Sequence, residues 1–162
     1  MQIQKAVSKD LQTILSIYES ARQFMRQQGN HKQWVGGYPS KELMETDILN
    51  GNCYVCTEEG QIVGVFCYFP GPDPTYANIY DGQWRNDDPY GVIHRIAVAQ
   101  HRKGVADACY RFALEQCPNL RIDTHEDNIP MQRSLAKNGF QRCGIIYLEN
   151  GDPRIAYQKV QM

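Results

Sequence analysis

Two tight turns divide the apolar parts of this chain in a way that restricts its fold. Glu59-Gly60 lies inside "CYVCTEEGQIVGVFCYF", and Asn150-Gly151 separates "FQRCGIIYL" from "RIAYQKV". The runs on either side of each turn have the length and composition of β-strands. Each turn therefore predicts two antiparallel strands, with one pair in the first half of the chain and one pair at its end.

Between these pairs, the sequence indicates a crossover. "VIHRIAVA" and "LRIDT" are typical of buried strands, and "GVADACYRFALEQC" between them has the apolar spacing of a helix. A strand-helix-strand crossover makes its two strands parallel neighbours. "IQKAV" (Ile3–Val7) predicts a first strand, and Ser8, Ser40 and Asn128 are expected to cap three further helices. The predicted order is β-α-α-β-β-β-α-β-α-β-β, in one domain over residues 1–162.

The composition excludes several classes of function. The 162 residues are 42% hydrophobic and carry a formal net charge of −1, which argues against a general nucleic-acid binder. No apolar run is long enough to span a membrane, and the N-terminal residues lack the features of a secretory signal. Among the six cysteines, Cys53 and Cys56 form a CxxC without a second pair, which favours buried reduced thiols over a metal site or disulfides. Reduced thiols are typical of a cytoplasmic protein, which is the location we expect.

A basic cluster of His101, Arg102 and Lys103 comes directly before Gly104 and a predicted helix. Unpaired N–H groups at a helix N-terminus suit a phosphate, and glycine lets a ligand approach the backbone. On spacing alone, a solvated basic turn explains the cluster equally well. Two observations favour a ligand site. The basic cluster lies at the end of a buried strand, where ligand crevices form in parallel arrangements, and the polar cluster in "THEDNIP" follows the parallel neighbouring strand at the same edge of the sheet.

These segments resemble the GNAT acetyltransferase superfamily. The family's phosphate-loop signature, R/Q-x-x-G-x-G/A, is matched at Gly104 and Ala106, whereas His101 replaces the arginine or glutamine. The order of elements also agrees over nearly the whole chain. The family's second pattern, N-x-x-A-x-x-L-Y-x-x-x-G-F, is matched by Asn128, Gly139 and Phe140, and departs at Met131, Ser134 and Leu135.

The resemblance implies an α/β (α+β) fold: a mixed, mostly antiparallel central sheet of about seven strands, helices on both faces and one parallel strand-helix-strand crossover. It also implies an N-acetyltransferase that transfers an acetyl group from acetyl-CoA to a primary amine by direct attack in a ternary complex. In such proteins the pyrophosphate lies on the amides of the basic turn, and the pantetheine arm pairs with the preceding strand. The residues expected to bind the cofactor are Ile96, Ala97, Val98, His101, Arg102, Lys103, Gly104, Val105, Ala106, Asp107 and Asn128.

Acetyl transfer needs a base that removes a proton from the ammonium group of the acceptor. Some family members carry a histidine at the place of His94, which makes His94 the first candidate, although it could instead pack against a helix. His125 is the second candidate, and a polar loop residue is its other interpretation. The thioester carbonyl would be polarised by a backbone N–H of the strand, at Ile96 or Val98.

The acid that protonates the leaving thiolate is harder to assign. Many family members have a tyrosine where this chain has Leu135. Tyr147 is the substitute that we name as a catalytic candidate, and Tyr110 is an alternative. Both are also explained as packing residues, and water can protonate a thiolate.

The long loops are expected to supply the acceptor site. Its candidate substrate-binding residues are Trp34, Tyr38 and Trp84, which could instead anchor the loops. The acceptor would be a small-molecule or peptide amine, with no nucleic acid or membrane partner, and a homodimer is compatible with the family. Two other functions stay open: a non-catalytic acyl-CoA-binding sensor on the same fold, and an interaction module whose basic turn binds a phosphorylated or acidic partner. Tyr76 is a further aromatic of these loops, and Asp81, Asp87 and Asp88 are acids that either attract a cationic amine or are solvated.

Overall fold

The computed structural model describes residues 1–99 and 102–161. Within them the strands and α-helices follow the predicted order. His101, which was predicted to open the phosphate turn, lies outside the described residues. The elements are β1 Gln2–Lys5, α1 Leu11–Gln27, α2 Lys41–Leu49, β2 Cys53–Glu58, β3 Gln61–Pro70, β4 Gly91–Val98, α3 Val105–Gln116, β5 Asn119–Thr124, α4 Ile129–Lys137, β6 Gln141–Tyr147 and β7 Pro153–Val160.

The seven strands form one sheet in the order β1-β2-β3-β4-β5-β7-β6. The two predicted hairpins are present, as β2 pairs with β3 and β6 with β7 in antiparallel register. The crossover through α3 makes β4 and β5 parallel neighbours, and the other neighbouring strands in this order are antiparallel. The predicted mixed, mostly antiparallel sheet with one parallel crossover is confirmed.

Helices cover both faces of the sheet, because side chains of each strand alternate between them. On one face, Ile14 and Tyr18 of α1 and Met44 of α2 pack against buried residues of β2 and β3. On the other face, Cys109 of α3 and Leu135 of α4 pack against the opposite set. The predicted burial of the cysteines holds for five of the six. None of the helices described is long and apolar enough to cross a membrane.

Two of the three predicted helix caps are confirmed. The side-chain oxygens of Ser40 and Asn128 accept hydrogen bonds from the backbone N–H groups of Leu43 and Met131, at 3.1 and 3.2 Å. The prediction for Ser8 is wrong: it begins a 3-10 turn, Ser8–Asp10, and α1 starts only at Leu11. This turn is closed instead by the Asp10 carboxylate, which accepts from the N–H of Val7 at 2.9 Å.

The sheet opens between its two parallel strands. The register of β4 and β5 contains only the pairs Gly91–Leu120 and Val92–Arg121 among the described residues. Beyond these two pairs, β4 has no partner on the β5 side within the described residues and remains paired with β3 on its other side. In that pairing two residues, Arg95 and Ile96, lie opposite the single residue Phe66, and this irregularity is a β-bulge. Arg95 has φ 56°, the left-handed conformation that residues other than glycine seldom adopt. The bulge and the splayed strands leave the edge of β4 open where the cofactor strand was predicted.

The long loop between β3 and β4 is held by contacts distant in sequence. Arg121 of β5 lies between two of its rings, with the guanidinium carbon 4.1 Å from the centre of Trp84 and 4.0 Å from that of Tyr90. Tyr80 makes an isolated antiparallel bridge with Ile145 of β6. These contacts place the loop across one face of β4, β5 and β7, and bring its acidic residue Asp73 to β4.

Candidate active site

Two adjoining cavities open where β4 and β5 separate. The first, which we call the apolar cleft, has a volume of about 500 Å³ and runs along the free edge of β4. Its walls come from α1, β4, α4 and Ala106 at the start of α3, and they include all three strand residues that were predicted to meet the pantetheine arm. They include Ala21, Met25, Ile96, Ala97, Val98 and Met131.

The second cavity has a volume of about 470 Å³ and several charged groups in its wall; we call it the charged cavity. Met25, Ile96, Asn128 and Met131 line both spaces, so the cleft and the cavity adjoin. A long thioester in the first could therefore meet a second reactant in the other. The acidic and basic residues that line the charged cavity are Lys32, Asp73, His94, Arg95, Asp123, Asp152 and Arg154.

The charged cavity contains a histidine paired with a carboxylate. His94 Nε2 lies 2.9 Å from Asp73 Oδ2, and the imidazole keeps 28% of its side-chain surface exposed. Burial raises the pKa of Asp73, but hydrogen bonds from His94 and Thr75 outweigh burial and lower this pKa to about 2. Asp73 is therefore ionised at neutral pH. A carboxylate at this distance orients the imidazole ring, as the geometry of a general base requires.

The bulge beside His94 is hydrogen-bonded to α1 and α2. The hydroxyl of Tyr18 in α1 donates to the Arg95 carbonyl at 2.7 Å, and Tyr18 is fully buried. The Arg95 guanidinium donates to Asp47 of α2 at 2.7 Å and to the Tyr38 hydroxyl at 3.0 Å. These bonds oppose the cost of the left-handed backbone, about 1–2 kcal/mol for a residue with a side chain. They fix the peptide that leads into Ile96, one of the two predicted carbonyl-polarising positions.

The predicted phosphate turn leads into the N-terminus of α3. Gly104 has φ 81°, and a Cβ built there would meet nothing within 4 Å, so a ligand can approach this backbone closely. The first i→i−4 bond of the helix runs from Ala108 N–H to the Gly104 carbonyl, which leaves the amides of residues 105–107 as helix-start donors. Arg102 differs from the prediction, because its amide donates to the Ala99 carbonyl at 3.1 Å. The side chain of Lys103 is exposed, whereas Val105 is buried and can offer only its backbone.

Three predicted residues lie together at the mouth of these cavities. Asn128 caps α4, lines both spaces and donates to Gln33 Oε1 at 2.9 Å. Trp34 and Tyr38 line the charged cavity, with ring centres 6.4 Å apart. The loop between α1 and α2 is thereby connected to α4 and to the bulge.

Two predicted residues lie elsewhere. Trp84 donates from Nε1 to the Tyr76 carbonyl at 3.0 Å and packs on Arg121, outside the charged cavity. Tyr147 is 46% exposed on β6, where its ring packs edge-on against Tyr80 at 5.3 Å, and it lines neither cavity. The structure therefore does not bring Tyr147 or Trp84 together with His94.

The alternative acid and base have restricted positions. Tyr110 is buried behind the cleft and bonds to Ser134 Oγ at 3.2 Å; burial raises its pKa, so it stays protonated. Leu135 is fully buried in the core.

His125 is 6% exposed, and its Nδ1 accepts from the Asp127 N–H at 2.9 Å. Burial and the charge of Arg154 lower its pKa, which favours a neutral ring.

Most of the charged residues of this cavity were not predicted from the sequence, among them Asp73, Asp123 and Arg154. The proline-rich surroundings of Asp73 marked a functional loop, but they gave no reason to choose it over Asp81, Asp87 or Asp88. Asp123 and Arg154 belong to β5 and β7, which were predicted as strands of the sheet without any role in the site. Pairing of β5 with β7 brings these two charges to one face, and that pairing is not a local property of the sequence.

The splayed parallel pair, the helix start at its open end and the cleft along the free strand are those of an acyltransferase of the GNAT type. The model of the Acetyltransferase (GNAT) family matches residues 12–140. The chain therefore belongs to the GNAT acetyltransferase family, whose members typically use acetyl-CoA. No curated protein matches the chain.

Solved structures agree with this assignment. A GNAT-family acetyltransferase from Streptococcus agalactiae is 34% identical, with a TM-score of 0.91 over 99% of this chain and 95% of that chain. An acetyltransferase from Staphylococcus aureus is 25% identical, with a TM-score of 0.72 over 99% of each chain. A ribosomal-protein-alanine N-acetyltransferase from Brucella melitensis, 20% identical over 99% of each chain, shares the fold with a TM-score of 0.61.

Proposed function

We propose that this protein is an acetyl-CoA-dependent N-acetyltransferase that acts on a primary amine by direct attack in a ternary complex. The observation that carries the proposal is the junction of the two cavities. The apolar cleft follows an open strand edge and ends at the charged cavity, where His94 and Asp73 are hydrogen-bonded at 2.9 Å. A thioester donor and a cationic acceptor can thus meet beside a base.

The residues present fit the donor. The open edge of β4 at Ile96–Val98 supplies backbone groups for the amides of a pantetheine arm. The helix-start amides of residues 105–107, beside the exposed Lys103, suit a pyrophosphate. Asn128 lines both the cleft and the cavity. Acetyl-CoA supplies the activated acetyl group, and the protein supplies position and proton transfer.

His94 takes one proton from the ammonium of the acceptor, and Asp73 stabilises the imidazolium that forms. The neutral amine then forms a C–N bond at the thioester carbonyl carbon as the C–S bond breaks. The second proton of the amine passes to the leaving thiolate through water. A backbone N–H of β4, at Ile96 or Val98, polarises the carbonyl oxygen during the attack.

The test is amine-dependent formation of free CoA together with the acetylated amine, detected by thiol titration and mass spectrometry. His94→Ala is expected to lower kcat at neutral pH by about 100-fold, the range of general base catalysis. Its Kd for acetyl-CoA should remain within twofold of wild type. His31→Ala, at an exposed position outside the lining of both cavities, is the matched control and should keep wild-type kcat.

Two results would contradict the proposal. Acetyl-CoA binding without CoA release by any amine would instead support the acyl-CoA sensor. A pH–rate profile in His94→Ala identical in shape and height to that of wild type would remove His94 as the base.

A further inference from the structure

Arg154 is a nearly buried cation of the charged cavity without a carboxylate partner. It is 7% exposed, and among the residues described its guanidinium has one hydrogen bond, to the Pro153 carbonyl at 2.8 Å. Arg95 in the same cavity is instead bound to Asp47. A buried guanidinium is normally satisfied by an anion, because it loses its hydration. An anionic group of a ligand can fill this place.

The carboxylate of Asp123 lies near Arg154 but is hydrogen-bonded to a tyrosine instead. Asp123 lines the same cavity and accepts from the Tyr76 hydroxyl at 2.6 Å. Its neighbour in β7 is Ala156, two residues from Arg154 and on the same face of the sheet. Strand spacing and rise place the Cα atoms of Asp123 and Arg154 roughly 8 Å apart. No ion pair joins the two side chains in the parts of the chain described.

Asp123 is a second acidic residue near the base, and the Tyr76 ring connects the two. The Tyr76 ring, whose hydroxyl Asp123 holds, lies 6.3 Å from the ring of His94 between their centres. The cavity wall thus runs from His94 and Asp73, through Asp123, to Arg154. Of the charged groups in this wall, Asp123 lies near the proton acceptor and Arg154 lies farther along the sheet, where the exposed Asp152 also lines the cavity.

We infer that the acceptor is a small molecule bearing both an ammonium and a carboxylate group, that is, an amino acid. Its ammonium lies toward Asp123 and His94, and its carboxylate is bound by Arg154, whose planar guanidinium suits two parallel hydrogen bonds. This inference rests on the proposed function and names the substrate class of the same site. It makes Arg154 a residue that determines specificity.

The experiment compares matched acceptors: amino acids, their amides, and the amines that lack the carboxyl group. Wild type is expected to use the amino acids with kcat/KM at least tenfold higher than the amides and amines. Arg154→Gln should abolish this preference mainly by raising KM, and Arg154→Lys should keep part of it. Arg142→Gln, which removes an exposed arginine from the neighbouring strand β6, is the charge-matched control and should keep the full preference.

A binding measurement supports the kinetics independently of turnover. Free amino acids should raise the melting temperature of wild type and of Arg142→Gln, and should leave that of Arg154→Gln unchanged. Should Arg154→Gln fail to fold, Arg154→Lys with the same ligands answers the question.

The inference is overturned if wild type uses amides or simple amines as well as the amino acids, or if Arg154→Gln keeps the preference. Turnover of those neutral acceptors would leave the acetyltransferase proposal intact. If no acceptor of any class releases CoA, the proposed function fails, and the inference fails with it.

Discussion

Removal of one buried hydroxyl group, in Tyr18→Phe, tests how the bulge in β4 is held. The Tyr18 hydroxyl donates to the Arg95 carbonyl at 2.7 Å, from a ring that is fully buried. The variant keeps the ring and leaves this carbonyl without its donor. A buried polar group that loses its partner costs about 1–3 kcal/mol.

We therefore expect the free energy of unfolding to fall by about 2 kcal/mol. In a protein of this size, 1 kcal/mol shifts the melting temperature by about 2–4 °C, so a decrease of about 4–8 °C should be seen by calorimetry. The left-handed backbone of Arg95, φ 56°, makes relaxation of the bulge favourable once the hydroxyl is gone.

A kinetic effect should accompany the loss of stability. Relaxation at Arg95 moves the amide of Ile96, which is expected to polarise the thioester carbonyl. A fall of about tenfold in kcat corresponds to about 1.4 kcal/mol of lost transition-state stabilisation. The Kd for acetyl-CoA should stay within twofold, because the walls of the apolar cleft are unchanged.

Tyr54→Phe is the matched control. Tyr54 of β2 stacks on Phe66 with ring centres 5.5 Å apart, and its hydroxyl has no hydrogen-bond partner within residues 1–99 and 102–161. This variant should match wild type in melting temperature and kcat. If Tyr18→Phe also kept the wild-type melting temperature, the hydrogen bond would contribute nothing; if it lost stability but kept kcat, the bulge would not depend on Tyr18.

Two further predictions concern the residues that position the site. The pKa of Asp73, lowered from 3.8 to about 2, corresponds to about 2 kcal/mol, which solvent screening at this partly exposed pair reduces to about 1 kcal/mol. Because the folded pKa is the lower one, this stabilisation is present above about pH 4 and is lost as the pH falls through 2. Urea unfolding should show Asp73→Asn less stable than wild type at neutral pH, with the difference shrinking as the pH falls from 4 through 2; a difference independent of pH would contradict this. Gly64→Ala places a Cβ 2.5 Å from Val105 Cγ1 at the start of α3, so we expect a loss of about 1–3 kcal/mol and weaker acetyl-CoA binding. Gln61→Ala, exposed on the same strand, is its control, and a Gly64→Ala variant with wild-type stability would refute the overpacking.

The parts of the fold that depend on local chemistry could be predicted from the sequence. The glycine turns at residues 60 and 151 marked both hairpins, and the order strand-helix-strand required the parallel pair β4–β5. Cap prediction worked where a polar side chain directly precedes the helix, as at Ser40. It did not work at Ser8, because an intervening 3-10 turn delays α1 until Leu11.

The charged cavity could be predicted only in part, because its residues meet through contacts between distant segments. His94 was expected on β4, but its partner Asp73 lies 21 residues earlier, in a loop whose path depends on Arg121 and Trp84. Trp84 is an aromatic residue of a kind often found in ligand sites, but here it packs on Arg121 and anchors that loop. The role of Tyr18 could not be predicted locally, because the bond from its hydroxyl spans 77 residues.

The central claim is that acetyl-CoA binds along β4 with its phosphates at the start of α3. Titration calorimetry with acetyl-CoA tests it most directly in wild type, Gly104→Ala and Gly104→Glu. Both variants impose a side chain on the left-handed backbone at φ 81°, but only glutamate adds bulk and negative charge where the phosphates are expected. We predict saturable binding by wild type, a Kd within twofold of it for Gly104→Ala, and a Kd at least tenfold weaker for Gly104→Glu. Equal affinity in all three proteins, or no binding by wild type at millimolar acetyl-CoA, would contradict the claim.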